Sequence, residues 1–166
     1  MQTIAVVDRN WAIGRDGEQL IYLSRDLKHF KEITLGHPVI LGRKTLATFP
    51  GGRPLKGRRN LILSRTAPDS LEGAEVYRDM ESLLAAAPED SFVIGGASVY
   101  NALIGRCDRA YITKLEAEWP ADCWFPNLDL LPDWEQEEES EPMEESGVRF
   151  RFVTYRRRAA APRGDR

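Results

Sequence analysis

Short apolar runs alternate with helix-forming stretches through the first two-thirds of the chain, and this alternation restricts the fold more than any other feature. Residues 3–7, 38–41, 60–64, 91–94 and 109–115 are short runs rich in aliphatic and β-branched residues, as buried strands require. Residues 75–77 form a weaker run of the same kind. Between the runs lie helix signals. Ser24 stands as a cap before Leu27, Phe30, Ile33 and Thr34, with Gly36 closing that helix. Residues 42–49 read as a short helix ended by Pro50-Gly51-Gly52, and Asp79 caps a helix running to Ala87. A further helix starts at Ala97, directly after Gly95-Gly96. Strands that alternate with helices pair in parallel, because each crossover must carry the chain back over a face. Residues 134–139 and 148–156 come last with no helix between them, and Phe150, Phe152 and Thr154 show period-two spacing. The expected class is α/β. Residues 1–158 should form a single three-layer domain with about eight strands in a mostly parallel central sheet, an antiparallel C-terminal edge and about four flanking helices. Residues 159–166 read as a disordered tail.

The net charge of −3 hides an uneven distribution. Residues 40–65 hold seven basic side chains and no acid, whereas residues 133–145 hold eight acids and no base. The acidic run reads as a solvated face. The basic run is interleaved with strand and turn signals, which would fix its charges in space. The basic groups are few and lack the aromatic stacking residues of nucleic-acid binders, so no nucleic-acid partner is expected. No stretch approaches the roughly 20 apolar residues of a membrane span, so no membrane partner is expected. The apolar run at 4–7 is too short for a signal-peptide core, so the expected location is cytoplasmic. Cys107 and Cys123 form no C-x-x-C pair and read as ordinary thiols, and with so few soft ligands no metal site is expected.

Three strand ends carry groups suited to anions. Gly95-Gly96 is compatible with either a tight strand-to-helix turn or a close backbone approach to a phosphate. Gly42-Arg43-Lys44-Thr45 combines two cations, a hydroxyl and a helix start at another strand end, and Ser64-Arg65 repeats the theme. Ligands of open α/β sheets bind at such ends. An extended polyanion, such as a dinucleotide with an additional phosphate, would engage all three. Asp26 lies in the first turn of a helix beside Leu27 and Phe30. It can be a dipole-complementing acid, or a carboxylate in an apolar pocket that binds a planar N–C–N donor system. The long stretch 8–23, with Gly14 and Gly17, reads as a functional loop.

Taken together, these residues resemble a known family. The carriers are Asp8, Ile13-Gly14 and Gly17; Asp26-Leu27 and Phe30; Val39-Ile40-Leu41-Gly42-Arg43-Lys44-Thr45; Gly52-Arg53-Pro54-Leu55-Lys56-Gly57-Arg58-Arg59-Asn60; Leu61-Ile62-Leu63-Ser64-Arg65; Val93-Ile94-Gly95-Gly96-Ala97-Ser98-Val99-Tyr100; Tyr111-Ile112-Thr113; and Asp122 with Phe125-Pro126. In this order and spacing the chain resembles a dihydrofolate reductase over residues 3–158. The resemblance implies reduction of dihydrofolate by NADPH, with Asp26 fixing the pterin and Thr113 assisting. It implies pterin and aminobenzoyl contacts at Ile4, Ala5, Leu27, Phe30, Phe49, Leu55 and Ile94, and a substrate carboxylate on Arg58. Cofactor contacts would come from Ala5, Ile13, Gly14, Gly42, Arg43, Lys44, Thr45, Ser64, Arg65, Gly95, Gly96, Ala97, Ser98, Val99 and Tyr100. Gly95-Gly96 would be a cis peptide, and Ser64 with Arg65 would select NADPH over NADH. Gly17, Gln19, Leu20 and Ile21 would form a lid that Asp122 helps to hold closed.

The chain departs from the family pattern in three places. Gln19-Leu20-Ile21 stands where most members carry Leu-Pro-Trp, and isoleucine lacks the indole N–H that usually orders a water by the pterin. Ser98 replaces a common basic residue, which leaves more of the phosphate load to Arg65. Ser24 replaces a common proline. The resemblance also implies a monomer and binding of antifolate inhibitors. Two other readings share these features: a riboflavin-pathway pyrimidine reductase on the same fold, and a non-catalytic dinucleotide-binding module. Asp26 with Leu27, Phe30, Arg58 and Thr113 suits a pterin with a glutamyl tail and argues against both.

Overall fold

Aliphatic runs at the centre of the chain become strands with almost no exposed face. A computed structural model describes residues 1–159. The sheet strands in chain order are β1 (Gln2–Val7), β4 (Val39–Gly42), β5 (Asn60–Leu63), β6 (Ala74–Tyr77), β7 (Phe92–Gly95), β8 (Arg109–Leu115), β10 (Trp134–Glu139), β11 (Met143–Glu145) and β12 (Val148–Arg157). Their order across the sheet is β10-β12-β8-β1-β7-β4-β5-β6, with β11 paired to the outside of β12. Neighbours from β8 through β6 pair in parallel, whereas β12 is antiparallel to β8, β10 and β11. The mixed α/β sheet with an antiparallel C-terminal edge is therefore as expected. The short strand β11 is an addition, since residues 134–156 had read as two strands only.

Among the described residues four α-helices cover the sheet: α1 (Ser24–Thr34), α2 (Arg43–Ala47), α3 (Met80–Ala86) and α4 (Ala97–Leu103). The period-two alternation of the strands sorts the core into two layers. Val7, Ile40, Leu61 and Val93 pack with Leu83 of α3 and with Val99, Tyr100 and Leu103 of α4. Ile4, Val39, Leu41, Ile62, Phe92 and Ile94 point the other way, toward Phe30 and Ile33 of α1 and Leu46 of α2. Asp79 caps α3 as its position suggests, accepting from the Ser82 N–H at 2.7 Å. Among the described residues no helix is long and apolar enough to cross a membrane.

Three local readings need correction. Ser24 is the first residue of α1 rather than its cap; Leu23 holds the cap position and offers no side-chain acceptor. The Ser24 hydroxyl instead donates to the Glu145 carboxylate, so the capping group comes from another element. Second, α2 stops at Ala47, and Pro50–Gly52 makes a separate 3₁₀ turn, because Gly51 and Gly52 take positive φ. Third, the stretch 8–23 is not simply a loop. It contains β2 (Ala12–Arg15) and β3 (Glu18–Gln19), which pair as a hairpin, and β2 also pairs with β9 (Cys123–Trp124). Asp16 and Gly17 both have positive φ at the hairpin tip, and Asp-Gly is a strong sequence signal for that two-residue turn. Of the tail, residues 160–166 lie outside the described residues.

Candidate active site

The apolar lining of the site is built by the face of the sheet that carries α1 and α2. Ile4 and Ile94 are buried there, and Phe30, Phe49 and Leu55 pack partly buried against them. Leu27 is 49% exposed and stands outside that cluster. Ala5 follows Ile4 on β1 and turns its side chain into the opposite core layer.

Asp26 is buried in the first turn of α1. Thr113, on β8, donates its hydroxyl proton to Asp26 Oδ1 at 2.6 Å. Burial lifts the Asp26 carboxyl from 3.8 to about 6; the Thr113 hydrogen bond opposes the rise and the nearby Glu145 charge adds to it. Tyr100 is buried on α4 and donates its hydroxyl to the Ile4 carbonyl at 2.7 Å. Its phenol is pushed well above its ordinary range by burial first and by the Asp26 charge second.

Arg58 sits where the chain enters β5. Its Nη1 donates to Thr34 Oγ1 at 3.1 Å and its Nε donates to the Lys56 carbonyl at 3.0 Å. Asn60, buried at the start of β5, holds this corner by bonding both the N–H and the carbonyl of Leu55 and the carbonyl of Arg58. Arg59, one position along, is consumed by an ion pair with Glu75. Arg58 has no carboxylate partner among the described residues, and burial lowers its basicity. The guanidinium is thus fixed by neutral acceptors and left free for an anion. Thr34 and Asn60 were absent from the sequence-derived site, since neither belongs to a charge or glycine pattern.

The three anion-suited strand ends are neighbours in the sheet. β7, β4 and β5 lie side by side and end at Gly95, Gly42 and Leu63, with Ser64-Arg65 following. The Gly95-Gly96 peptide is cis, as the resemblance implies. A Cβ on Gly95 would lie 3.1 Å from Thr45 Oγ1, and one on Gly96 3.2 Å from the same atom. Gly95 also has φ +137, so this corner accepts only glycine. Arg43 donates to Thr66 Oγ1, and neither Arg43, Lys44 nor Arg65 is ion-paired among the described residues. Ser64 is buried, and its Oγ accepts from the N–H groups of Thr66 and Ala67, which turns the chain at this corner. Arg78, past the end of β6, donates to the Ser64 carbonyl at 3.0 Å and pairs with Asp69. It brings a cation to the same corner that residue order alone did not reveal. Ser98 is exposed in α4, and Val99 and Gly42 pack together, with a Cβ on Gly42 reaching Val99 at 3.5 Å. Ile13 packs partly buried against the core layer that holds Tyr100.

The hairpin of β2 and β3 is tied down from the β9 side. Asp122 accepts from the Asp16 N–H at 2.8 Å, and its own N–H donates to the Gly14 carbonyl at 3.0 Å. Gly14 admits no side chain there, because a Cβ would sit 2.7 Å from the Glu18 carbonyl oxygen and 3.1 Å from Cys123 Sγ. Ile21 packs against Leu23, Leu115, Val148 and Phe150 beyond the hairpin. Gln19 and Leu20 are half-buried, while Gly17 is exposed at the tip.

A mixed α/β sheet with three neighbouring strand ends suited to an anion, and with a buried acid bonded to Thr113, is the architecture of an α/β enzyme. The family model described as dihydrofolate reductase matches residues 1–157, and the chain belongs to that family. It is 36% identical to the dihydrofolate reductase of Bacillus subtilis over 166 residues, covering 97% of this chain and 96% of that one. It is 38% identical to dihydrofolate reductase HdrB of Haloferax volcanii, covering 97% of this chain and 86% of the relative. The dihydrofolate reductase of Enterococcus faecalis, solved in complex with NADP(H) and RAB-propyl, superposes with a TM-score of 0.83 at 31% identity, over 95% of this chain and 96% of that one.

Proposed function

We infer that this chain reduces 7,8-dihydrofolate to 5,6,7,8-tetrahydrofolate at the expense of NADPH, as an oxidoreductase of tetrahydrofolate biosynthesis and one-carbon metabolism. One observation carries the reading: the buried Asp26 carboxyl is bonded to Thr113, in a chain that matches the reductase family throughout. That combination supports a reductase over the pyrimidine-reductase or non-catalytic alternatives.

Asp26 binds the 2-amino group and N3 of the pterin, a planar donor pair that a carboxylate meets with two parallel hydrogen bonds. Thr113 fixes the rotamer of that carboxyl from β8. Ile4, Phe30, Phe49, Leu55 and Ile94 surround the pterin and aminobenzoyl groups and exclude water from them, with Leu27 at the exposed rim and Ala5 contributing backbone at the pterin end. Arg58 pairs with the substrate's α-carboxylate, a bidentate contact suited to a guanidinium. On the cofactor side, bare backbone at Gly95-Gly96 and the Thr45 hydroxyl fit a diphosphate, and Arg43, Lys44 and Arg65, not ion-paired among the described residues, fit its charges and a 2′-phosphate. NADPH held there would supply hydride from nicotinamide C4 to pterin C6. Asp26 polarises the ring, whose N5 would take its proton by way of a water. Ala5, Ile13, Gly14, Gly42, Ser64, Ala97, Ser98, Val99 and Tyr100 complete the cofactor side. The segment from Gly17 through Gln19, Leu20 and Ile21 acts as a lid latched by Asp122. Residues 1–158 are read as one domain, working as a cytoplasmic monomer that also binds antifolate inhibitors.

The test is direct. The pure protein mixed with NADPH and dihydrofolate should lose absorbance in the NADPH band and yield tetrahydrofolate. A folded protein that leaves NADPH unoxidised would overturn the reading.

A further inference from the structure

The acidic segment 133–145 is not a uniformly solvated face. Glu135 pairs with Arg156, Glu137 with Arg109 and Glu139 with Arg151, so its first half laces β10 to β12 and β8. Glu145 does something different. It closes the β11–β12 hairpin opposite Val148, at a two-residue turn where Ser146 and Gly147 both have positive φ. From that tip its carboxylate accepts the backbone N–H of Ser24, the hydroxyl of Ser24 at 2.9 Å and the N–H of Arg25 at 3.1 Å. These are among the first N–H groups of α1, which lack partners within their own helix. The cap position, Leu23, has no polar side chain to serve them. Leu23 is itself buried with Val148 and Phe150, so the same hairpin grips the point where the lid segment becomes α1. Asp26 follows directly after the two capped residues.

We propose that Glu145 is a positioning residue for Asp26: capping α1 from the β11–β12 tip, it sets the first turn against Thr113 and places a second negative charge near the site acid. The proposal deepens the reductase reading and rests on it for its catalytic meaning. The groups facing Asp26 are the neutral Thr113 hydroxyl from β8, the Tyr100 phenol from α4 and Glu145 from β11, with Arg25 beside Glu145 on α1. Glu145 is the ionised member of the set that favours a protonated Asp26. Desolvation pushes its own carboxyl upward, but the N–H groups of Arg25 and Ser24, the Ser24 hydroxyl and the Arg25 charge together outweigh that and hold it below the ordinary range. It therefore keeps its charge throughout the range in which Asp26 titrates.

Glu145→Gln keeps an acceptor oxygen and removes the charge, whereas Glu145→Ala removes both. The Asp26 carboxyl can be followed by ¹³C NMR in the folded protein without ligands, independently of turnover. Its midpoint should move acidward in Glu145→Gln, whereas in Glu145→Ala a loosened Thr113 bond opposes that shift and makes it smaller. Only Glu145→Ala should also raise the KM for dihydrofolate severalfold, with NADPH affinity unchanged. A purely structural cap would alter stability while leaving the Asp26 midpoint of Glu145→Gln where the wild type has it, and that result would overturn the proposal. If Glu145→Ala does not fold, Glu145→Gln still gives the decisive titration. Failure of the wild type to oxidise NADPH would overturn the reductase reading, while the NMR midpoint still judges the link between Glu145 and Asp26.

Discussion

Thr113 and Asp26 stand 87 positions apart in the chain and meet across 2.6 Å, the threonine hydroxyl donating to the buried carboxyl. The bond joins the strand β8 to the first turn of α1 and holds a buried acid at that junction. Burial and hydrogen bonding pull in opposite directions there. Burial prevails, and the carboxyl titrates near 6 rather than 3.8.

That imbalance predicts a trade of stability against activity in Asp26→Asn. The folded state holds the Asp26 proton more tightly than the unfolded chain does, so this group's contribution to stability is intact below about pH 4. It is lost as pH rises through about 6. At pH 7.5 the amide variant should resist urea better than wild type, by at most roughly 3 kcal/mol for a shift of this size. The advantage should vanish in unfolding curves taken near pH 3.5. Dihydrofolate reduction should fall severely while NADPH binding stays nearly intact. A collapse of NADPH affinity would move Asp26 out of the substrate half of the site.

Thr113→Val removes the one hydrogen bond that lowers the Asp26 midpoint. The carboxyl should then titrate at higher pH than in wild type, and its rotamer should be less well fixed. The expected readout is an alkaline shift in the pH profile of turnover with an increased KM for dihydrofolate. Thr113→Ser, which restores the hydroxyl, should return both toward wild type.

What could be read from residue order depended on how local each signal was. The parallel centre was legible because strands such as Val39–Gly42 and Phe92–Gly95 are continuously apolar, and the loops between them have helical spacing. The Gly95-Gly96 corner was legible because its glycines are adjacent. The hairpin of β2 and β3 was missed although Asp16-Gly17 advertised it, since a two-residue strand leaves almost no periodic signal. The capping of α1 by Glu145 was not legible. Its partner Ser24 lies 121 positions away, and Ser24 looked sufficient as its own cap. The acidic run likewise looked solvated, because the arginines that pair with it lie on β8 and β12 rather than beside it in sequence.

Arg58 is held by Thr34 and the Lys56 carbonyl and has no carboxylate partner among the described residues. Arg58→Gln should raise the KM for dihydrofolate by roughly tenfold to a hundredfold, the range of a charge-assisted pair worth about 1.5–3 kcal/mol. Arg58→Lys should recover only part of the loss, because a single ammonium cannot span a carboxylate. A pteridine substrate without the glutamyl tail should be insensitive to both changes. Equal losses with and without the tail would assign Arg58 elsewhere.

Arg65 is exposed, follows the buried Ser64 at the end of β5 and is not ion-paired among the described residues. The neighbouring Arg78 is already engaged by Asp69 and the Ser64 carbonyl. Arg65→Ser should therefore weaken NADPH more than NADH and narrow the kcat/KM ratio between them, with dihydrofolate KM unaffected. An unchanged ratio would leave the phosphate preference to Arg43 and Arg78.

Asp122 joins the β9 side to the hairpin tip through one side-chain bond and one backbone bond. Asp122→Ala deletes the bond from the Asp16 N–H and keeps the backbone bond to Gly14, so β2 stays paired while the tip is released. A net loss of about 1 kcal/mol for such a bond corresponds to roughly fivefold in the equilibrium constant for latching. If that hairpin is the lid, kcat should fall by up to about that factor, because closure precedes the chemical step. Thermal stability should barely change, since Asp16 and Asp122 are both exposed. Rapid-mixing measurement of hydride transfer separates the two causes: a slowed transfer at saturating ligands places the latch before chemistry, and an unaltered transfer with unaltered kcat removes Asp122 from the lid.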